Sequence, residues 1–227
     1  MDAEPVTIEI KPGETVSGLW LAPPDARACL VLAHGAGAGM THRSMAAIAD
    51  GLFERGVASL RYQFPYMERG GKRVDPPPVA HAAVRQAVAA ARARAGLAPL
   101  FAGGRSFGAR MTSQAQALKP LEGVRGLIFF AFPLHPAGKP SEERAAHLAS
   151  VTIPMLFLQG SNDALAELDL LRHTLAGLGE RASLDLIPDA DHSFHVPART
   201  GRKDDEVLGE VLDRTVDWMA THAEARP

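Results

Sequence analysis

The sequence predicts one α/β domain, built on a mostly parallel sheet with an N-terminal antiparallel hairpin and helices on both faces. Short apolar runs alternate along the chain with segments whose apolar residues recur every three or four positions. That alternation is typical of parallel strands joined by helical crossovers. A length of 227 residues suits one such domain, and no repeat, low-complexity tract or long linker divides it. We therefore predict a single domain over residues 1–227 with no large cap domain.

The chain is predicted to open with an antiparallel hairpin, because two β-rich runs flank the turn residues Lys-Pro-Gly-Glu. The next run, Ala-Cys-Leu-Val-Leu-Ala, is apolar throughout, as expected of a strand buried on both faces. Five more strands are predicted after it. The eight predicted strands are residues 6–10, 15–21, 28–33, 58–64, 99–102, 126–132, 154–159 and 182–187.

Helices are predicted between these strands, where apolar residues lie near a period of 3.6. The residues that set the period are Met45, Ile48 and Leu52; Val84, Val88 and Ala91; Leu168, Leu171, Leu175 and Leu178; and Leu208, Val211, Leu212, Thr215 and Met219. A further helix is predicted to begin at about Ser106. Ligands bind beyond the carboxyl ends of the strands in such sheets, so we expect the chemistry in the loops that follow the strands.

The composition indicates a compact protein and names no charged partner. Hydrophobic residues make up 46% of the chain, and 24 Lys and Arg face 26 Asp and Glu, for a formal net charge of -2. Bulk charge therefore favours neither nucleic acid nor an anionic membrane. A single cysteine, Cys29, forms no internal disulfide and fits a reducing compartment. The N-terminus lacks a signal-peptide pattern and the apolar runs are short, so we expect a cytoplasmic protein.

The sharpest motif follows the predicted strand at 99–102. Gly104, Ser106 and Gly108 form a G-x-S-x-G pattern between a strand and a helix. In such an elbow the serine hydroxyl is presented at the end of the sheet, and the glycines let the neighbouring backbones approach. We interpret Ser106 as a nucleophile. A glycine-rich turn without chemistry is the alternative.

A serine nucleophile needs a base and an orienting acid, which later strand-end loops must supply. Asp163 follows the strand at 154–159, and we expect it to be the acid, although it could also be the N-cap of the next helix. After the strand at 182–187 come two histidines, His192 and His195. We favour His192 as the base because it lies nearer the strand end, while His195 could be a surface or packing residue. The chain order of serine, acid and histidine matches that of α/β-hydrolases.

The same histidine loop raises a second possibility, a metal site. Asp189, Asp191, His192 and His195 all carry side chains that bind metals. A loop cluster without a further ligand from elsewhere in the chain is weak evidence for a site, so we expect no metal.

A glycine-rich loop, His-Gly-Ala-Gly-Ala-Gly-Met at 34–40, follows the strand at 28–33. It matches neither the phosphate-binding nor the dinucleotide-binding pattern. It does offer unhindered backbone N–H groups, as half of an oxyanion hole requires, and the N–H of Phe107 would supply the other half. We assign the first half to Ala36, with Gly37 as the alternative. His34 is expected to hold the loop by hydrogen bonding rather than to act as a base.

With these residues in view, the chain resembles the α/β-hydrolase superfamily, and particularly the compact hydrolases related to dienelactone hydrolases. Closer still, it resembles a family of bacterial hydrolases whose animal relatives include a testis-expressed protein and a subunit of the non-specific-lethal complex. The resemblance runs from about residue 31 to residue 194 and rests on HGAGAGM, RYQFPYMERG, GGRSFGAR, FPLHPAGKP, QGSND and DADHSF. It implies Ser106, Asp163 and His192 as a catalytic triad that needs no metal or organic cofactor.

Two departures from that pattern matter. Phe107 places a bulky ring beside the nucleophile, where it could narrow the acyl pocket. Dienelactone hydrolases proper use a cysteine nucleophile, whereas Cys29 lies at a strand and cannot take that role. We therefore do not expect dienelactone hydrolysis.

Residues of the strand-end loops are expected to shape the substrate site. We predict contacts from His34, Gly35, Gly37, Tyr66, Arg105, His135 and Lys139; Arg61, Met67, Arg69 and Arg144 are further candidates. The alternative for the charged residues is a solvated loop position. If Lys139 and Arg69 face the pocket, the substrate has an anionic end. Only residues 133–150 leave room for a lid, so we expect an open site.

We interpret the chain as a serine hydrolase that acts on a small carboxylic ester or thioester. A catalytically silent interaction module with the same fold is the alternative from another class. A peptidase or an acyltransferase is possible within the enzymes. Nothing in the sequence indicates an oligomeric state.

Overall fold

A computed structural model describes residues 2–224. The strands are β1 Glu4–Lys11, β2 Glu14–Leu21, β3 Ala28–Ala33, β4 Val57–Tyr62, β5 Leu100–Arg105, β6 Val124–Phe130, β7 Met155–Gly160 and β8 Ala182–Ile187. The α-helices are α1 Arg43–Glu54, α2 Pro65–Glu68, α3 Pro77–Ala95, α4 Phe107–Leu118, α5 Leu168–Ala176 and α6 Asp204–Thr221. Short 3₁₀ helices occupy Glu143–Ser150, Gly179–Arg181 and Ala198–Thr200.

All eight strands lie in one sheet, in the order β1-β2-β4-β3-β5-β6-β7-β8. The predicted hairpin is confirmed, since β1 and β2 pair antiparallel, and β2 pairs antiparallel with β4. From β4 to β8 every neighbouring pair is parallel. The predicted fold class is therefore correct, and the carboxyl ends of six parallel strands meet at one edge of the sheet.

The central strands are buried on both faces, and their side chains divide between two cores. In β3, Cys29, Val31 and Ala33 belong to one apolar cluster, whereas Leu30 and Leu32 belong to the other. Successive side chains of a strand point to opposite faces, so an unbroken apolar run is what two covered faces require. Helices α1 and α6 cover one face, and α3, α4 and α5 cover the other.

Six of the eight strands have bounds that differ from the predictions, and in β4, β5 and β6 the shift has a local reason. Strand β4 ends at Tyr62, and Pro65 begins helix α2 shortly after it. Strand β6 spans Val124–Phe130 and not 126–132, since Ala131 has a φ of 59° and leaves the β region. Strand β5 continues to Arg105, which pairs with Phe130. No helix within residues 2–224 combines the length and the apolar character needed to cross a bilayer.

Candidate active site

Strained backbone is concentrated at the carboxyl edge of the parallel strands. The non-glycine residues with positive φ among those described are Ser106, Ala131, Asp189 and Phe194. Each lies in a segment that follows β5, β6 or β8. Such conformations persist only where the surroundings enforce them, and they are common at functional sites.

Ser106 occupies the sharp turn between β5 and α4, with φ 51° and ψ −113°. Its N–H donates to the carbonyl of Phe130 at 3.1 Å. Cβ atoms added at Gly104 and Gly108 would lie 2.4 and 2.5 Å from the carbonyl oxygen of Ala33, so a side chain at either position would collide with β3. The two glycines of the motif are therefore required by the close approach of two backbones.

The structure brings Ser106, His192 and Asp163 together in a hydrogen-bonded chain. His192 Nε2 lies 2.8 Å from Ser106 Oγ, and His192 Nδ1 lies 2.7 Å from Asp163 Oδ2. The side chain of Asp163 is fully buried, while that of His192 is 22% exposed. This arrangement leaves the serine end of the chain open to solvent and keeps the carboxylate away from water.

Asp163 is held by groups besides His192. Its Oδ1 accepts the N–H of Leu165 at 2.8 Å, and its Oδ2 also accepts the side-chain amide of Gln159. The amide oxygen of Gln159 in turn accepts the N–H of Phe132 at 2.9 Å. Helix α5 begins at Leu168, so Asp163 is not its N-cap. Sequence reasoning missed Gln159, although a polar residue at the end of an apolar strand was a visible signal.

His195 lies outside this chain of hydrogen bonds. Its Nδ1 is 2.9 Å from Asp204 Oδ2, at the start of α6, and both side chains are more than half exposed. The hydrogen bond and charge of Asp204 raise the pKa of His195. Over residues 2–224, no three His, Cys, Asp or Glu side chains converge as metal ligands would.

The glycine-rich loop passes directly beside the nucleophile. A Cβ added at Gly35 would lie 3.8 Å from Ser106 Cβ. Within the described residues, the N–H groups of Ala36 and Phe107 donate to no protein acceptor. Ala36 and Gly37 are both exposed, and a Cβ added at Gly37 would contact nothing within 4 Å. Free amides are thus available in the loop beside Ser106 and in the residue that follows it, as an oxyanion hole requires.

His34 fixes the conformation of this loop through hydrogen bonds at both ring nitrogens. The N–H of Phe64 donates to His34 Nε2 at 3.0 Å, which leaves the ring proton on Nδ1 to donate to the Gly35 carbonyl at 2.7 Å. The side chain is fully buried, and burial lowers its pKa to about 4. The expected loop-holding role fits this geometry. The expected substrate contact does not, because neither ring nitrogen is free.

The neutrality of buried His34 predicts a loss of stability in acid. Between its pKa of about 4 and the ordinary value of 6.5, the unfolded chain takes up a proton that the folded chain does not. The stabilisation that comes from neutral His34 is therefore fully present above pH 6.5 and is lost as the pH falls toward 4. It amounts to about 3 kcal/mol of the free energy of unfolding. Urea unfolding at about pH 7 and about pH 4.5 measures this slope. His34→Gln should flatten it, and an unchanged slope would contradict the assignment.

The side chains of Tyr66 and His135 are also buried and hydrogen-bonded to backbone groups of the loops, so they do not line an open pocket. The Tyr66 hydroxyl donates to the carbonyl of Ala36 at 2.7 Å, and the residue is 2% exposed. His135 is buried; its Nε2 accepts the N–H of Glu167 at 2.9 Å, and its Nδ1 lies 2.9 Å from the Pro136 carbonyl. The expected substrate contacts of both side chains are therefore corrected, since packing and hydrogen bonding already occupy them.

The ring of Phe107 does not narrow the site as its size suggested. It is 6% exposed and packs edge-on against Phe64, with ring centroids 5.2 Å apart. Tyr66 lies on its other side, at 6.4 Å. The ring thus belongs to the core, and only the backbone of Phe107 is offered to the site.

The proposed anionic pocket of Lys139 and Arg69 is not formed. Arg69 makes ion pairs with Asp75 at 2.8 Å and with Glu14 at 3.4 Å, so its charge is already compensated. Lys139 is exposed on a turn and has no contact with the triad among the interactions of the described residues. Asp75 lies only six residues from Arg69 in the chain, whereas Glu14 lies 55 residues away, and its pairing with Arg69 is not visible from sequence spacing.

A cleft of about 560 Å³ lies between α1, the start of α6 and the loop that follows β8, and none of Ser106, Asp163 and His192 is among its lining residues. Its walls include Arg105 and Ser193, which neighbour the nucleophile and the base in the chain, and Ser44 of α1. The Arg105 guanidinium reaches the carbonyl of His192 at 3.4 Å. Arg105 therefore lies in the wall of this cleft and contacts the loop that carries His192.

Residues 133–150 do not form a free lid. Their 3₁₀ helix, Glu143–Ser150, packs on α4 and buries Ala145 and Leu148. This segment is therefore part of the packed domain.

Comparison with known proteins agrees with the fold described above. A family model described as "Alpha/beta hydrolase domain" matches residues 26–220. The chain is similar to a dienelactone hydrolase from Anabaena variabilis, with 18% identity, TM-score 0.76, and coverage of 98% of this chain and 99% of that one. It is also similar to a serine hydrolase without a lid from Xanthomonas campestris (22%, TM-score 0.73, 100% and 98%). A third similar structure is Est1E from Butyrivibrio proteoclasticus with ferulic acid bound (17%, TM-score 0.72, 95% and 99%).

Proposed function

The chain belongs to the alpha/beta hydrolase domain family, and from that premise we propose that it is a serine esterase acting through a covalent acyl-serine intermediate. The observation that carries the proposal is the pair of short contacts at His192, to Ser106 Oγ at 2.8 Å and to Asp163 Oδ2 at 2.7 Å. A base within reach of a nucleophile, and itself oriented by a buried acid, is the geometry of nucleophilic catalysis.

In the first half of the proposed reaction, Ser106 Oγ attacks the acyl carbon of the ester. His192 Nε2 takes the hydroxyl proton, and Asp163 stabilises the resulting imidazolium through Nδ1–H. The amides of Ala36 and Phe107 stabilise the tetrahedral oxyanion, each contributing about 3 kcal/mol. The C–O bond to the alcohol then breaks, and His192 returns the proton to the leaving oxygen.

In the second half, water attacks the acyl carbon of the intermediate. His192 accepts a proton from the water, and the ester bond to Ser106 breaks with return of that proton to Oγ. The products are a carboxylic acid and the free enzyme. Every step uses residues of this chain, and the mechanism calls for no metal or organic cofactor.

The open site favours small or extended esters. The esterase and serine hydrolase among the structurally similar proteins support an ester substrate, and the ferulic acid bound to one of them suggests an aromatic acid as a first test. A thioester is a second candidate, because the same attack on an acyl carbon applies. We also propose the closer relationship to the bacterial family with animal relatives, on the motifs that surround the site.

A fluorophosphonate probe tests the proposal, since it reacts covalently only with an activated serine. We expect stoichiometric labelling of the tryptic peptide 106–110, which begins at Ser106. Ser106→Ala should abolish both labelling and hydrolysis of 4-nitrophenyl acetate, and Ser150→Ala, which changes an exposed serine that precedes the amino end of β7, should retain both. An unlabelled Ser106 together with a stable protein partner would favour the silent interaction module instead.

A further inference from the structure

Among the described residues, Arg110 is a half-buried cation without a carboxylate partner. It lies on α4, and its Nε is buried without a hydrogen-bond acceptor. Within residues 2–224, no carboxylate forms an ion pair with Arg110 or with Arg144. Burying this N–H without an acceptor costs free energy, and the terminal N–H groups of the guanidinium make no hydrogen bond within residues 2–224, so they are available to a ligand.

The position of Arg110 relates it to the nucleophile. Its N–H donates to the carbonyl of Ser106 at 3.1 Å, so it lies one helical turn beyond the elbow. Side chains of a helix lean toward the helix N-terminus, which here is the end that carries Ser106. The Arg110 guanidinium carbon is 6.0 Å from the ring centroid of Phe107, the residue whose amide is the proposed second oxyanion donor.

The surroundings of Arg110 are cationic or neutral rather than acidic. The charge of Arg144 adds to burial in lowering the pKa of Arg110. Burial, followed by the charges of Arg110 and His81, lowers the pKa of His147 to about 4. The 3₁₀ helix that carries Arg144 is joined to α4 through His147 Nε2, which lies 2.8 Å from Ser113 Oγ.

We propose that Arg110, together with Arg144, forms a subsite for an anionic group of the substrate, so that the preferred esters carry a carboxylate. This inference rests on the proposed esterase function and adds the substrate class. It also replaces Lys139 and Arg69 as the source of positive charge, because Arg69 is paired with two carboxylates whereas Arg110 has none. A guanidinium and a carboxylate form short, charge-assisted hydrogen bonds.

Matched ester pairs test the subsite. One pair places the charge on the acyl side, mono-(4-nitrophenyl) adipate against its neutral methyl ester. The other places it on the alcohol side, 4-carboxyphenyl acetate against its methyl ester. For at least one pair, Arg110→Gln should lower the ratio of kcat/KM for the anionic ester to that for the neutral ester by about tenfold. Arg110→Lys should recover part of the ratio.

Controls separate a local effect from a change of net charge. Arg94→Gln removes the same charge from the exposed end of α3 and should leave the ratio unchanged. If Arg110→Gln does not fold by circular dichroism, Arg144→Gln takes its place. A ratio within about twofold of the wild-type value for both pairs would overturn the subsite.

Binding of adipate distinguishes failure of the subsite from failure of the esterase proposal. Isothermal calorimetry with adipate on the wild-type chain and on Arg110→Gln needs no turnover. If none of the esters is cleaved but adipate binding is about tenfold weaker in Arg110→Gln, the function is wrong and the subsite stands. Equal affinity in both chains, or no binding, overturns the subsite even where the esters are cleaved.

Discussion

Replacing His192 by alanine is expected to lower kcat/KM for an aryl ester by about 10⁴-fold or more, the loss seen when a catalytic base is removed. His192 is the proposed base, and its Nε2 lies 2.8 Å from Ser106 Oγ. Without it the hydroxyl keeps its proton and is a poor nucleophile. The measurement is initial-rate hydrolysis of 4-nitrophenyl acetate, with the folded state of the variant checked by circular dichroism.

His195→Ala is the matched comparison, since it removes the other histidine of the same loop. That ring is bonded to Asp204 on the surface. Its loss should reduce kcat/KM by less than about tenfold, through small changes in the loop. The reverse order of effects, with His195→Ala the more damaging, would show that the base has been misassigned.

Gly103→Ala is expected to be the most destabilising single methyl addition near the site. A Cβ at this position would lie 1.8 Å from the carbonyl oxygen of Ile128 and 2.8 Å from its carbonyl carbon. Gly103 and Ile128 are paired residues of β5 and β6, so the collision is between backbones at the centre of the sheet and no side chain can move to relieve it. We expect a loss of more than about 4 kcal/mol, a large part of the stability of a typical domain.

Gly209→Ala provides the control, because the same methyl group is added within a helix. Its Cβ would lie 3.8 Å from Arg55 Nη2, an ordinary contact, and the substitution should stabilise α6 by about 0.5–1 kcal/mol. Urea unfolding of both variants measures the difference. A Gly103→Ala chain within about 1 kcal/mol of wild type would mean that β5 and β6 do not approach as closely as described.

Local patterns were sufficient for much of the fold. The strands at 28–33 and 182–187 were predicted with the bounds that the structure has. Their apolar character is a property of neighbouring residues, and burial on a sheet follows from it. Boundaries were less certain where a single backbone angle decided them, as at Ala131.

In the candidate site, too, some features followed from the sequence and others only from the structure. Strand-end position and residue type were enough to select Ser106, Asp163 and His192, because parallel strands bring their carboxyl ends to one edge. The hydrogen-bond partners of the other polar side chains could not be predicted from the sequence. His34 and His135 were expected at the substrate, yet each is engaged by backbone groups about thirty residues away.

The amino-acid sequence thus predicted the succession of strands and helices, the elbow at Ser106 and the loops in which catalytic residues were expected. Only the folded chain brings His192 into contact with the serine, since 86 residues separate Ser106 from His192. It also decided which cations are compensated, leaving Arg110 without a carboxylate while Arg69 has two. Periodicity is a local property of the chain, whereas pairing and desolvation depend on groups that only the packing of distant segments brings together.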